Sequence, residues 1–184
     1  MTLQNDDAPR VLQLLRHAKS SWRDGNLADR ERPLNRRGHH AGRLLAAHLA
    51  RHTPPDLVLC SSALRTRETF EYIATAYPIR PRLAVEEGLY LATPRALMER
   101  IELVPDEVTT LMVIGHNPGL HELAAALARH GSKIDRARLA AKFPTGALAS
   151  YRLAGPWRDI AHAPIALTSY IVPSDLDSEA DDPD

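Results

Sequence analysis

Apolar positions follow two rhythms along this chain. Three short runs, 11–15, 57–60 and 111–114, are apolar almost throughout and are bounded by charged or turn-forming residues. Such runs read as strands buried on both faces. Between them, apolar residues recur every third or fourth position, the period of an amphipathic helix. Ala41, Leu44, Leu45 and Leu49 mark a helix over about 37–52, which Pro54-Pro55 stops. Ala63, Thr66, Phe70, Ile73 and Tyr77 mark a second over about 63–76, with Ser61 and Ser62 as candidate N-caps. A short strand at 82–85 precedes Thr93-Pro94, which opens a helix over 94–104 with proline at its first position. After the run at 111–114, Asn117 can cap a helix whose stripe is Leu120, Leu123, Ala124 and Leu127. The stretch 132–142 has no decisive period. The runs 147–153 and 165–172 read as two closing strands. Four strand–helix units followed by two strands predict an α/β fold. It is a three-layer sandwich with a mostly parallel central sheet, an antiparallel edge and helices on both faces.

Composition narrows the partners. The chain has 184 residues, 44% hydrophobic and 25% charged, enough for one globular core. No apolar run reaches the ~20 residues that span a bilayer, and the polar N-terminus has no signal-peptide core, so no membrane partner is expected. The single cysteine, Cys60, excludes an internal disulfide and fits a reducing cytoplasm. A single domain is expected over 1–173, followed by an acidic, disordered tail over 174–184. That tail holds six acids and no base, leaving the body at +6. Twenty of the 23 bases are arginine, whose guanidinium fork suits oxyanions. Nucleic acid is not an expected partner, because aromatics make up only 5% of the chain and do not interleave with a basic run. Without heptads, a monomer is expected.

Three strand-to-helix junctions carry suggestive residues: Arg16-His17 after the first strand, Arg65 after the second and His116 after the fourth. In an open α/β sheet these ends converge on one crevice. Phosphoryl transfer needs charge stabilisation over three equatorial oxygens and an in-line nucleophile. Arg16 and Arg65 can supply the charge, His17 the nucleophile and His116 a further donor. No metal and no cofactor are needed. A cysteine phosphatase would place five residues between Cys60 and its arginine, but Arg65 follows after four and Arg67 after six. His48 and His52 stand at i, i+4, yet within the apolar stripe, where packing is expected rather than metal ligation. A non-catalytic phosphate-binding module remains open, since it would keep the arginines.

The blocks Leu15-Arg16-His17-Ala18-Lys19, Arg32-Pro33-Leu34 with Gly38, Ser61-Ser62-Ala63-Leu64-Arg65 with Glu68-Thr69, and Gly115-His116-Asn117-Pro118 resemble the histidine phosphatase superfamily. They are similar above all to its short SixA-type phosphohistidine phosphatases, and the likeness runs through Phe143-Pro144-Thr145-Gly146-Ala147 to about Leu176. It implies a phosphoglycerate-mutase-like fold and a phosphohistidine intermediate on His17. Arg16, Arg65 and His116 would form the phosphate pocket, with Lys19, Arg32 and Asn117 completing the substrate-binding set. Glu87 matches the region where many members carry a proton donor. The implied substrate is a phosphorylated protein, phosphohistidine in particular, or a small phosphoester. A phosphoglycerate-mutase-like small-molecule phosphatase is the alternative within the same chemistry.

Overall fold

The computed structural model describes residues 9–180, with side chains through Asp177. Seven strands form one sheet: β1 (Arg10–Arg16), β2 (Leu57–Ser61), β3 (Arg82–Glu86), β4 (Thr110–Gly115), β5 (His130–Gly131), β6 (Leu148–Leu153) and β7 (Ile165–Ile171). The spatial order is β3-β2-β4-β1-β6-β7-β5. Strands β3, β2, β4 and β1 are mutually parallel, and β6 runs antiparallel to both β1 and β7.

Alternation along the buried strands explains the three layers. Leu12 and Leu14 of β1, with Leu111 and Val113 of β4, join one cluster; Leu15, Met112 and Ile114 join another. The first cluster is covered by α3 (Pro94–Glu102), α4 (Gly119–Leu127) and α5 (Lys133–Ala141). The second is covered by α1 (Arg36–Leu49), α2 (Leu64–Ala74) and α6 (Pro173–Ala180). A strand apolar on both faces must be covered on both.

Three local expectations are corrected. Ser62 does not cap α2: Ala63 holds that position with no side-chain cap, and the Ser61 hydroxyl is engaged elsewhere. Asn117 does not cap α4, which starts two residues later, because its amide donates to the Phe143 carbonyl instead. The acidic segment after Pro173 is not disordered as far as Ala180: it forms α6. Leu176 is buried against the second cluster, Asp175 pairs with Arg138, and Asp177 pairs with His40. Burial and pairing hold a helix that composition alone would leave unfolded. The rest of the expected tail, 181–184, lies outside the described residues. The undecided stretch 132–142 contains α5, with Ser132 as its N-cap. Strand β5, two residues long, had no signal in the pattern.

Candidate active site

Register brings the junctions together. Arg16 of β1 is paired with Gly115 of β4, and Cys60 of β2 with Ile114. The residues just after these positions, His17, Ser61 and His116, therefore emerge side by side at the carboxyl end of the sheet. The His17 amide donates to the Gly115 carbonyl at 3.2 Å. Arg65 arrives from the first turn of α2. It is 4% exposed, against 7% for His17 and 3% for His116.

Side chains then fix the chemistry. His17 Nδ1 lies 2.7 Å from the Ala18 carbonyl, which can only accept, so this nitrogen carries the proton and Nε2 keeps its lone pair. Arg65 Nε donates to His17 Nε2 at 3.3 Å, and its Nη2 lies 3.3 Å from His116 Nδ1. One guanidinium thus spans both imidazoles, whose ring centres are 5.1 Å apart. Since Arg65 only donates, His116 Nδ1 accepts and its Nε2–H donates to Ser61 Oγ at 2.7 Å. Arg16 Nη1 donates to the Phe143 carbonyl at 2.9 Å, the same oxygen that holds Asn117, while Arg16 Nε is buried without a partner among the described residues.

Burial pushes the His17 imidazole down to about 4, and the Arg65 and Arg16 guanidinium groups add to the shift. Burial likewise pushes His116 down to about 3, helped by His17 and Arg65. Both rings are therefore neutral at pH 7. Arg16 is lowered too, by burial and then by Arg65. Cationic groups crowded out of water around two neutral bases favour an anion between them. Cys60 is fully buried and burial pushes its thiol up to about 12, which removes it as a nucleophile.

The cavity, about 430 Å³, is lined by Arg16, His17, Arg65, His116, Lys19 and Asn117, six of the eight residues singled out from sequence. Arg32 is not among the lining residues. Its guanidinium stacks 3.4 Å from the centre of the Trp22 ring, and Trp22 itself lines the cavity. Glu87 is not brought into the cavity either. It lies in the short 3-10 turn Glu87–Leu89, largely exposed, and pairs with Arg30. Its neighbour Glu86 pairs with Arg100.

The carboxylate that does reach the cavity is Asp29. Its Oδ2 accepts from Arg65 Nη2 at 2.8 Å and from the Tyr90 hydroxyl at 2.6 Å, and its backbone carbonyl accepts from Arg65 Nη1 at 2.5 Å. The Tyr90 hydrogen bond, then Arg65, hold its carboxyl below the usual range. Asp29, Tyr90 and Ser61 were not read as site residues from sequence. Asp29 sits in a polar loop with no period, and nothing in the pattern sets where that loop folds. Ser61 could have been found, since it closes β2 as Arg16 closes β1.

A sequence profile of the histidine phosphatase superfamily (branch 1) matches residues 12–90. An uncharacterized Mycobacterium tuberculosis protein is 41% identical over 163 residues, covering 86% of this chain and 99% of that protein. The structure is similar to a Nakamurella multipartitia protein assigned as the phosphohistidine phosphatase SixA, with TM-score 0.79 and 28% identity over 92% of this chain and 99% of that one. A second protein assigned as SixA, from Agrobacterium tumefaciens, matches with TM-score 0.75 and 29% identity over 90% of this chain and 99% of that one. The chain belongs to the histidine phosphatase superfamily. Within it the chain is SixA-like, and the superfamily's phosphatase chemistry fits the four residues gathered at the sheet end. No described helix is long and apolar enough to cross a membrane.

Proposed function

We propose that the protein removes phosphate from phosphohistidine side chains of other proteins, and more slowly from other phosphoesters, through a covalent intermediate on His17 and without a metal. The observation that carries the choice of substrate is the state of Asp29. It is the carboxylate lining the cavity among the described residues, and Tyr90 and Arg65 keep it ionised. A site without a protonated acid serves an alkoxide leaving group poorly, whereas imidazole leaves as a neutral base.

The chemistry follows from the donors. The phosphoryl oxygens take hydrogen bonds from Arg16, Arg65 and His116, and Arg65 gives up its bonds to the two imidazoles. The His17 Nε2 lone pair attacks phosphorus, and the phosphorus–nitrogen bond to the substrate ring breaks. The leaving nitrogen keeps the bonding pair, and the substrate imidazole departs neutral because its other nitrogen was protonated from solvent. His17 is now an imidazolium phosphorylated at Nε2, with its Nδ1 proton still held by the Ala18 carbonyl. Water attacks phosphorus, the bond to Nε2 breaks, inorganic phosphate leaves, and the proton of water passes to solvent by way of Asp29. Two guanidinium groups supply the charge a metal would otherwise supply. Among the described residues, no three His, Cys, Asp or Glu side chains cluster to hold an ion. The lone cysteine suits a cytoplasmic setting.

The test offers a phosphohistidine peptide and an aryl phosphate in parallel, in EDTA, to wild type and to His17→Ala. The expected result is an acid-labile, base-stable phosphoprotein absent from the variant, with the peptide turned over roughly a hundredfold faster than the aryl phosphate. Phosphate binding without label or turnover would make the protein a binding module. Turnover only on adding a divalent metal would overturn the metal-free route.

A further inference from the structure

A trough of unpaired cations leads away from the catalytic cavity. Beyond Lys19 and Trp22, which line that cavity, a second hollow of about 440 Å³ is lined by the same two residues with Arg23, Arg36 and Arg37. A third, of about 540 Å³, shares Arg23 and Arg36 with the second and adds Arg43, His39 and Tyr72. The second hollow shares Lys19, Ser20 and Trp22 with the catalytic cavity, and the third shares Ser21, Arg23, Asn35 and Arg36 with the second. Among the described residues, no carboxylate lines the second or the third. Among the described residues, none of Lys19, Arg23, Arg36, Arg37 and Arg43 has an acid within ion-pairing distance, although nine other arginines of this chain do. Arg36 and Arg37 also open α1, whose first turn has no acid, so their charge adds to the positive end of the helix dipole. Four of the five, all but Lys19, are exposed, and each would lose self-repulsion to a bound anion.

We propose that this trough binds an acidic segment of the phosphorylated polypeptide, with carboxylates flanking the phosphorylated residue lying over Arg23, Arg36, Arg37 and Arg43. The proposal rests on the phosphatase reading and names its substrate class. The two hollows beyond the cavity, about 440 and 540 Å³, are more than one phosphate needs, which argues against a small phosphoester as their occupant. Their single exposed aromatic, Trp22, is 69% exposed and held by the Arg32 stack. One fixed indole suits the side chain next to the phosphorylated residue, not the run of stacked bases that single-stranded nucleic acid requires.

The experiment compares phosphohistidine peptides with acidic or with serine flanks, and phosphoimidazole, as substrates of the full-length protein. Wild type is set beside Arg36→Glu/Arg37→Glu and Arg23→Glu/Arg43→Glu. The acidic peptide should exceed the neutral one about tenfold in kcat/KM at low salt, mainly through KM, and approach it near 0.5 M salt. Both charge reversals should abolish the preference and leave phosphoimidazole turnover unchanged. Equal use of the two peptides by wild type, or a preference that survives both reversals, overturns the trough. Stronger competition by inorganic polyphosphate than by an acidic peptide of matched charge overturns the choice of a polypeptide. If wild type does not turn over phosphoimidazole, the phosphatase reading itself fails, separately from the trough.

Discussion

Ser61 Oγ, 2.7 Å from His116 Nε2, governs which tautomer the second imidazole can adopt. While Arg65 donates to Nδ1, the ring must donate to Ser61 from Nε2. To donate from Nδ1 to a phosphoryl oxygen, His116 must shift its proton, and Nε2 must then accept. A hydroxyl can serve in both states because it rotates from acceptor to donor. Ser61→Ala is expected to lower kcat roughly tenfold, the worth of one buried hydrogen bond, while the folded circular dichroism spectrum is kept. A variant as fast as wild type would mean that His116 never changes tautomer. The main site residues were legible because each follows a buried strand, where few positions are polar. Ser61 was legible only as a cap, because a serine before a helix has two possible uses and only its neighbour in space selects one.

Asp29 owes its position to a loop whose ends are fastened. Ser20 bridges Leu34, the Ser21 amide donates to the Pro33 carbonyl, and the Leu34 amide donates to Glu68 Oε2 at 2.6 Å. These bonds close the base of the loop, so its 3-10 turn Asp29–Glu31 stands over Arg65. Thr69, from the same face of α2, accepts the Ala18 amide at 3.0 Å. Glu68 and Thr69 thus tie the loop and the segment after His17 to one helix, which explains why they travel with Arg65 in the sequence block. Gly38 completes the joint. A Cβ there would stand 2.2 Å from the Lys19 carbonyl, a backbone atom with no room to yield. Gly38→Ala is expected to cost roughly 1–3 kcal/mol of stability, from overpacking, and to lower kcat by moving the segment after His17. Urea denaturation and steady-state kinetics check both, and an unchanged midpoint would show that α1 can shift freely. Sequence gave α1 and α2 by their stripes but left this loop shapeless, since its fastening uses backbone groups that carry no residue signature.

Across the whole molecule, keeping two imidazoles neutral among cations makes folding sensitive to acid. In the folded protein His17 and His116 hold values of about 4 and about 3, below the ordinary 6.5. Below pH 6.5 the unfolded chain takes up protons that the folded chain refuses, so stability falls as pH drops from 6.5 through about 4. The limiting slope from two such groups is roughly 2–3 kcal/mol per pH unit. Denaturation at pH 7 and pH 5 should show this loss, and His17→Ala/His116→Ala should lose less over the same interval. Equal losses would place the sensitivity elsewhere. In kcat/KM the acid limb belonging to His17 should fall near pH 4, not near 6.5.

The sequence by itself determined the layered α/β order, the strands apolar on both faces, and the polar residues that end them, because burial leaves a periodic mark on a chain. Arg16, His17, Arg65 and His116 were singled out as a set by the same rule. Only the tertiary structure decided that Asp29, not Glu87, reaches the cavity, and that Ser61 serves His116 in place of α2. It also decided that the acidic segment after Pro173 folds as α6. Each of these depends on which group meets which across the fold. A carboxylate or hydroxyl on a loop or helix end has several partners within reach, and nothing in its neighbours along the chain chooses among them.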